Sequence, residues 1–266
     1  MNLESLITKL KPVMRRAGEE IMDIYRVGAK PNFKEDGSPV TLADKRSEEI
    51  ILKALKRLLP EIPVISEEDP TSHTLEVHSE YFLVDPLDGT KGFLDFDGRG
   101  SFTVNIGLIS NGDPLLGLIY VPVTKQMFFG ISKSGSYIEE KEGFIKPIKV
   151  RVSDWNGAIA VASEKHRSQK TDQWLKNKNI TDVVSASSSM KFCSLAKGEA
   201  DVYPRFGPTM EWDTAAGHAI LLGAGGFVTL GDGKTVLRYG KENYRNGDFI
   251  AWGGLSPQTC FQTNAS

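Results

Sequence analysis

Apolar residues at positions 3, 6, 7, 10, 13, 14, 17, 21 and 24 trace one stripe at helical spacing, and the stripe predicts a first helix that ends near Gly28. The opposite face mixes Lys, Arg and Glu, so the stripe is read as packing into the chain's own core; the alternative, a helix lying on a membrane surface, calls for a polar face that is basic throughout. A loop with Pro31, Gly37 and Pro39 leads to a second periodic stretch over 42–59. Strand-like runs follow over 62–66, 81–85, 102–109, 115–121 and 126–129, with Asn111-Gly112-Asp113-Pro114 as a turn between two of them and a glycine-rich hairpin around Gly135. The short links here favour antiparallel pairing.

A further strand is expected over 148–152, after which the pattern changes to strand alternating with helix. Strands are read over 158–162, 182–185, 201–203, 227–229 and 249–252, and helices over 168–178, 188–197 and 213–222. The fold class is α/β (α+β), with an N-terminal lobe over 1–150 and a C-terminal lobe over 151–266. No repeat and no low-complexity segment breaks the pattern.

Composition narrows the function classes rather than the fold. With 40% hydrophobic and 25% charged residues over 266 positions, the chain is globular and neither disordered nor fibrous. A formal net charge of −2 removes the broad basic surface that a nucleic-acid polymer requires, so an anionic ligand has to be held locally. Cys193 and Cys260 lie far apart, with neither Cys-x-x-Cys spacing nor a disulfide framework, which points to a reducing compartment. No uninterrupted apolar run resembles a signal peptide or a membrane span. The expected location is the cytoplasm, with peripheral attachment at the inner face of the membrane left open by the first helix.

The chemistry concentrates in three acidic segments. Val84-Asp85-Pro86-Leu87-Asp88-Gly89-Thr90-Lys91-Gly92-Phe93 delivers two carboxylates three residues apart at the end of an apolar strand and then breaks at a glycine. Magnesium takes oxygen ligands and keeps several of its waters, so a few carboxylates plus phosphate oxygens suit it. Pro86 stiffens the turn, the Leu87 carbonyl is a further candidate ligand, and Gly89 and Thr90 offer backbone N–H groups at the start of a short helix, where a phosphate binds favourably. The same string also reads as a surface Asp-Gly turn. Ile65-Ser66-Glu67-Glu68-Asp69 places carboxylates at the end of another apolar run, and Glu211-Trp212-Asp213-Thr214-Ala215-Ala216-Gly217 places an acid where small residues open a helix. Asp213 suits a helix N-cap or a metal ligand, since the small residues after it let another element approach closely.

These segments resemble the inositol monophosphatase superfamily, whose signatures are an Asp-Pro-Leu/Ile-Asp-Gly-Thr block and a later Trp-Asp-x-Ala-Ala/Gly-Gly block. The resemblance implies a layered helix and sheet sandwich with the site between the two lobes. It implies two magnesium ions, with a third position open, held by Glu67, Asp85, Asp88, Asp213 and the carbonyl of Leu87. It makes Thr90 the partner of Glu67 in orienting the attacking water, and it places Asp44, in Val40-Thr41-Leu42-Ala43-Asp44, beside an additional metal or its waters. Read without the resemblance, Asp44 is a helix N-cap or first-turn acid. Inhibition by lithium is a further implication.

Ser188-Ser189-Met190-Lys191-Phe192-Cys193, followed by Asp201-Val202-Tyr203-Pro204-Arg205-Phe206-Gly207-Pro208-Thr209, is similar to the CysQ-type 3′(2′),5′-bisphosphate nucleotidase branch of that superfamily, and the similarity covers nearly the whole chain. It implies that Ser188, Ser189, Lys191 and Arg205 contact the ribose and second phosphate of a nucleotide bisphosphate, with Gly89, Thr90 and Asp213 completing the substrate-binding set. A bisphosphate needs cations for the phosphate that the metals do not hold; Lys191 taken alone reads as a solvated helix residue. The family's Ser-x-Ser-His pattern stands here as Ser163-Glu164-Lys165-His166 and assigns no role to Ser163 or His166.

The implied activity is hydrolysis of adenosine 3′,5′-bisphosphate to AMP and phosphate, extending to the related 3′-phosphoadenylyl sulfate (PAPS), which gives adenylyl sulfate (APS). An inositol monophosphatase or fructose-1,6-bisphosphatase is the alternative enzyme. A metal-dependent nucleotide-binding regulator without turnover is the alternative from another class, and the intact set Glu67, Asp85, Asp88, Thr90 and Asp213 argues against it. Asp95-Phe96-Asp97-Gly98 lacks the flanking residues of both an aspartyl-phosphate nucleophile and a calcium loop, and reads as a loop. His73 and His78 sit in a polar loop and His218 on a helix, none at zinc-ligand spacing.

Overall fold

The computed structural model describes residues 1–28, 30–33, 39–76, 79–95, 102–163 and 167–255. The first helix, α1 (Leu3–Val27), is capped where the Asn2 side chain accepts from the Ser5 N–H at 2.8 Å. A short ribbon, β1 (Asn32–Phe33) with β2 (Pro39–Val40), precedes α2 (Leu42–Leu58). Seven strands follow, β3 (Val64–Ser66), β4 (Glu80–Asp88), β5 (Thr103–Ser110), β6 (Asp113–Val121), β7 (Gln126–Ile131), β8 (Gly135–Glu139) and β9 (Ile145–Ile148), with the single-turn helix α3 (Thr90–Leu94) after β4. They pair in chain order into one sheet, β3 parallel to β4 and every later pair antiparallel.

The chain then alternates through β10 (Ile159–Ala162), α4 (Gln169–Asn177), β11 (Asp182–Ser185), α5 (Met190–Ala196), β12 (Val202–Arg205), β13 (Thr209–Met210), α6 (Ala215–Gly223), β14 (Phe227–Leu230), β15 (Arg245–Asn246) and β16 (Phe249–Trp252). Five of these strands form a mixed sheet of order β11-β10-β12-β16-β14, while β13 and β15 pair separately.

Period-two alternation in the strands builds the layers, because successive side chains leave opposite faces. Leu116, Leu118 and Tyr120 of β6 pack with Leu10, Met14 and Ile21 of α1 and Ile51 and Leu55 of α2. Ile119 and Val121 of the same strand face the other way, onto Phe192, Leu195, Ile220 and Leu221 of α5 and α6. Those two helices are covered in turn by Val161, Tyr203, Val228 and Phe249 of the smaller sheet, whose outer face packs Ile250 and Trp252 against Leu175 and Trp174 of α4. The order is therefore helix pair, sheet, helix pair, sheet, helix, with each apolar face buried against the next layer. The seam between α6 and the large sheet is unusually close: a Cβ on Gly117 would lie 2.1 Å from the Ala216 carbonyl oxygen, and one on Gly107 would lie 2.7 Å from the Ala215 Cβ. The small residues after Asp213 thus do bring another element in closely.

One expectation fails for a physical reason, and two short ribbons lie outside what the sequence predicts. The strand expected over 148–152 ends at Ile148: Val150 donates its N–H to the Ala224 carbonyl at 3.0 Å, Val152 is exposed, and Arg151 turns away to Asp201, so the β-branched run has no strand to pair with. The β1–β2 and β13–β15 ribbons were not foreseen, because two residues per strand carry no periodicity.

Candidate active site

A β-bulge brings the two acids of β4 to one place. Residues three apart on a regular strand leave opposite faces, but the pairing of β4 with β5 shifts register between Asp85 and Asp88, with Pro86 and Leu87 in the irregularity. Proline tolerates this position because it has no N–H to donate. Its carbonyl accepts from the Ser47 hydroxyl at 2.7 Å, and the Leu87 N–H donates to Asp85 Oδ1 at 3.1 Å. Gly89, at φ 92°, then turns the chain into α3 through the left-handed region that a side chain disfavours.

Glu67 follows β3, where its N–H donates to the Val84 carbonyl at 3.1 Å, and Asp213 precedes α6. Oxygen atoms of Glu67, Asp85 and Asp213 all lie within 4.8 Å of one another. Burial, then the charges of Glu67, Asp88 and Asp213, push the Asp85 carboxyl well above the usual carboxylate range. Asp213 is raised by burial and by Asp88 and Glu67, and Asp88 chiefly by burial. Gathering mutually repelling carboxylates in a desolvated pocket is unfavourable without a cation. The all-oxygen donor set, three clustered carboxylates with Asp88 and the Leu87 carbonyl beside them, fits a hard divalent ion.

Asp213 is not the cap of its helix. Thr214 occupies that position, and Asp213 Oδ2 instead accepts from the Met210 N–H at 2.8 Å, which fixes a turn. Asp44 lies outside the three-acid cluster and serves two partners. Its Oδ2 accepts from the N–H and hydroxyl of Thr41, both at 2.7 Å, in a capping box. Its Oδ1 accepts from the Thr90 hydroxyl at 3.2 Å, and the same hydroxyl lies 3.2 Å from the Leu87 carbonyl. Of its two local readings, N-cap or first-turn acid, the structure shows the first-turn acid, with Thr41 as the N-cap.

Asp88 is anchored from the other side of the site. Its Oδ2 accepts from the Ser189 N–H at 2.8 Å and from Asn105 Nδ2 at 3.2 Å, and its carbonyl accepts from the Ser188 hydroxyl at 3.2 Å. The Ser189 hydroxyl is buried and engaged with Asn105 and Thr103, at 2.9 and 2.8 Å. Ser189 therefore braces Asp88 through its N–H, while its hydroxyl is engaged by Asn105 and Thr103. Ser188 sits at φ 52°, a strained value for a non-glycine residue, and Lys191 Nζ donates to its carbonyl at 2.8 Å. Lys191 is buried rather than solvated, and burial lowers its ordinary value to about 8. Arg205, at the end of β12, donates from Nη2 to the Pro208 carbonyl at 3.1 Å while its buried Nε has no partner among the described residues. Two cations thus stand beside four acids, which is the charge pattern of a site for an anion bridged by metal.

Three supporting residues carried no signal in the sequence. Asn105 and Ser47 act on neighbours that are remote along the chain, and Glu211 is buried, where it accepts from the N–H groups of Gly240 and Lys241 at 2.9 and 3.0 Å and pairs with Lys241 Nζ at 2.5 Å. Ser163 is described but makes no contact with the site in the bonds above, while His166, His78, Cys260 and most of the Asp95–Gly98 string lie outside the described residues. No helix among the described residues is long and apolar enough to cross a membrane.

Comparison with known proteins points the same way. The family model described as the inositol monophosphatase family matches residues 2–258. The chain is 43% identical to the 3′(2′),5′-bisphosphate nucleotidase CysQ of Salmonella typhimurium over 248 residues, 92% of this chain and 98% of that protein. It is 40% identical to the protein of the same name from Escherichia coli K12 over the same shares. The crystal structure of CysQ from Bacteroides thetaiotaomicron superposes with a TM-score of 0.79 at 36% identity, over 94% of this chain and 97% of that one.

Proposed function

The chain belongs to the inositol monophosphatase family, and from that premise we propose that it is a magnesium-dependent phosphatase converting adenosine 3′,5′-bisphosphate to AMP and phosphate, with PAPS as a related substrate. The observation that carries this reading is the juxtaposition of the Glu67, Asp85 and Asp213 cluster with the buried, cationic Lys191. Glu67, Asp85, Asp88, Asp213 and the Leu87 carbonyl would hold two magnesium ions, and Asp44 would stand beside a third or its waters. When bound, these ions lower the pKa of a water and stabilise charge on the phosphoryl and leaving oxygens.

The chain's own residues orient the reaction. The Thr90 hydroxyl spends its proton on Asp44 Oδ1 and the Leu87 carbonyl, so its lone pairs face outward to accept from the attacking water, with Glu67 as the second acceptor. Water attacks phosphorus in line, the bond from phosphorus to the ribose 3′-oxygen breaks and that oxygen takes up a proton from solvent, while the proton lost by the attacking water passes to the Glu67 carboxylate or through the Thr90 hydroxyl to Asp44. The Gly89 and Thr90 N–H groups face the scissile phosphate. Lys191 and Arg205 take the second phosphate, where the buried Nε of Arg205, without a partner among the described residues, favours an anion. Ser188 adds a hydroxyl at the ribose. A sugar monophosphate such as inositol 1-phosphate would leave both cations without a role. The enzyme works in the cytoplasm, consistent with a reducing compartment and a buried thiol at Cys193.

Product analysis tests the direction of cleavage. Adenosine 3′,5′-bisphosphate incubated with enzyme and magnesium is expected to yield 5′-AMP and one phosphate, with release abolished by chelator and restored by added magnesium. Formation of 3′-AMP would reverse the placement of the two phosphates, and chelator-resistant release would remove the metal from the chemistry.

A further inference from the structure

His73 occupies a turn of 3-10 helix, Ser72–Thr74, that the sequence reading treated as a polar loop. Its Nε2 lies 2.8 Å from the Ser66 carbonyl, and because a carbonyl only accepts, Nε2 carries the proton and donates. Its ring stacks on Trp212 with centroids 4.8 Å apart and planes 21° from parallel, and Tyr244 borders it at 6.4 Å. Ser66 immediately precedes Glu67, and Trp212 immediately precedes Asp213. One imidazole therefore grips the two segments whose carboxylates must come within 4.8 Å of each other although they stand far apart in the chain. The Trp212 ring is itself fixed, buried in a cluster with Ile65, Tyr81, Tyr239 and Tyr244, and the Tyr244 carbonyl accepts from the Glu211 N–H at 2.7 Å.

We propose that His73 is a positioning residue that sets the separation of Glu67 and Asp213 by hydrogen-bonding the first segment and stacking on the second. The inference rests on the reading of these acids as metal ligands. Groups that orient ligands without touching the ion typically change metal affinity by about 10–100-fold when lost.

The test is a calorimetric titration of magnesium into metal-free wild type, His73→Ala, His73→Phe, which keeps the stack and loses the donor, and His73→Gln, which keeps a donor and loses the stack. Circular dichroism checks that each protein is folded. His73→Ala is expected to bind magnesium about tenfold more weakly, with smaller losses for His73→Phe and His73→Gln and with the KM for adenosine 3′,5′-bisphosphate at saturating magnesium held within about twofold, as expected for a group that touches no substrate. Wild-type magnesium affinity in the Ala variant, or in both Phe and Gln variants if Ala does not fold, overturns the positioning role and reduces His73 to packing. Absence of magnesium binding by wild type overturns the metal reading of the site itself, and the two failures are thereby distinguished.

Discussion

Asp85→Asn is expected to lower kcat by about 10³-fold or more, since an oxygen ligand that stabilises charge in the transition state is worth several kcal/mol. The amide keeps an oxygen to accept the Leu87 N–H, now at 3.1 Å, so the bulge survives the change. What is lost is a negative charge that is almost fully buried, at 1% exposure. In the metal-free protein that charge is a liability. The Asp85 carboxyl is raised in the folded state, so the fold binds its proton more tightly than the unfolded chain does, and metal-free stability declines as pH rises above the ordinary value of 3.8. Metal-free Asp85→Asn is therefore expected to melt at or above the wild-type temperature near neutral pH. Magnesium is expected to raise the melting temperature of wild type and to leave that of the variant nearly unchanged, because an ion stabilises only the state that binds it. Thermal melts with and without magnesium, alongside turnover, check both halves. Turnover within tenfold of wild type would remove Asp85 from the metal-holding set.

Lys191→Met is expected to raise the KM for adenosine 3′,5′-bisphosphate by about 10–100-fold, the loss associated with one charged hydrogen bond. A monophosphate such as 3′-AMP should be affected far less, because the group that Lys191 holds is absent from it. Methionine matches the length of the side chain and suits the apolar shell around a residue only 6% exposed, so packing is retained. The pH profile adds an independent signature. Burial lowers the Lys191 ammonium from its ordinary value of 10.5 to about 8, so kcat/KM for the bisphosphate should fall as pH rises through that region in wild type, and the fall should be missing in Lys191→Met. Equal losses on bisphosphate and monophosphate would mean that Lys191 supports Ser188 and does not read the second phosphate.

The sequence announces what one stretch of chain does alone. Asp85 to Thr90 is readable because a strand end, two acids, a proline and a glycine are contiguous, and the helices α1 and α2 are readable because each is long enough to show its apolar stripe. The bulge that turns Asp85 and Asp88 to one place is not visible in spacing, since an acid pair three apart on a strand would ordinarily diverge. Asp44 turns out to be the first-turn acid of a capping box whose cap is Thr41, and its second oxygen accepts from Thr90, a link that local pattern does not show. Asp213 looks like a cap and is not, because the helix begins one residue later. The bracing residues stayed hidden for a single reason. Asn105 braces Asp88 from 17 residues away and Ser189 from 101, and contacts made across the fold leave no trace in local pattern.

The central claim is that one acidic and cationic site selects a nucleotide bisphosphate, and the most direct measurement is kcat/KM with magnesium for adenosine 3′,5′-bisphosphate, inositol 1-phosphate and fructose 1,6-bisphosphate in parallel, because discrimination between substrates resides in that ratio. The account predicts a clear preference for the nucleotide. A preference for inositol 1-phosphate would contradict the role given to Lys191 and Arg205, a preference for fructose 1,6-bisphosphate would contradict the selection of a nucleotide, and release from none of the three would favour a nucleotide-binding regulator over an enzyme.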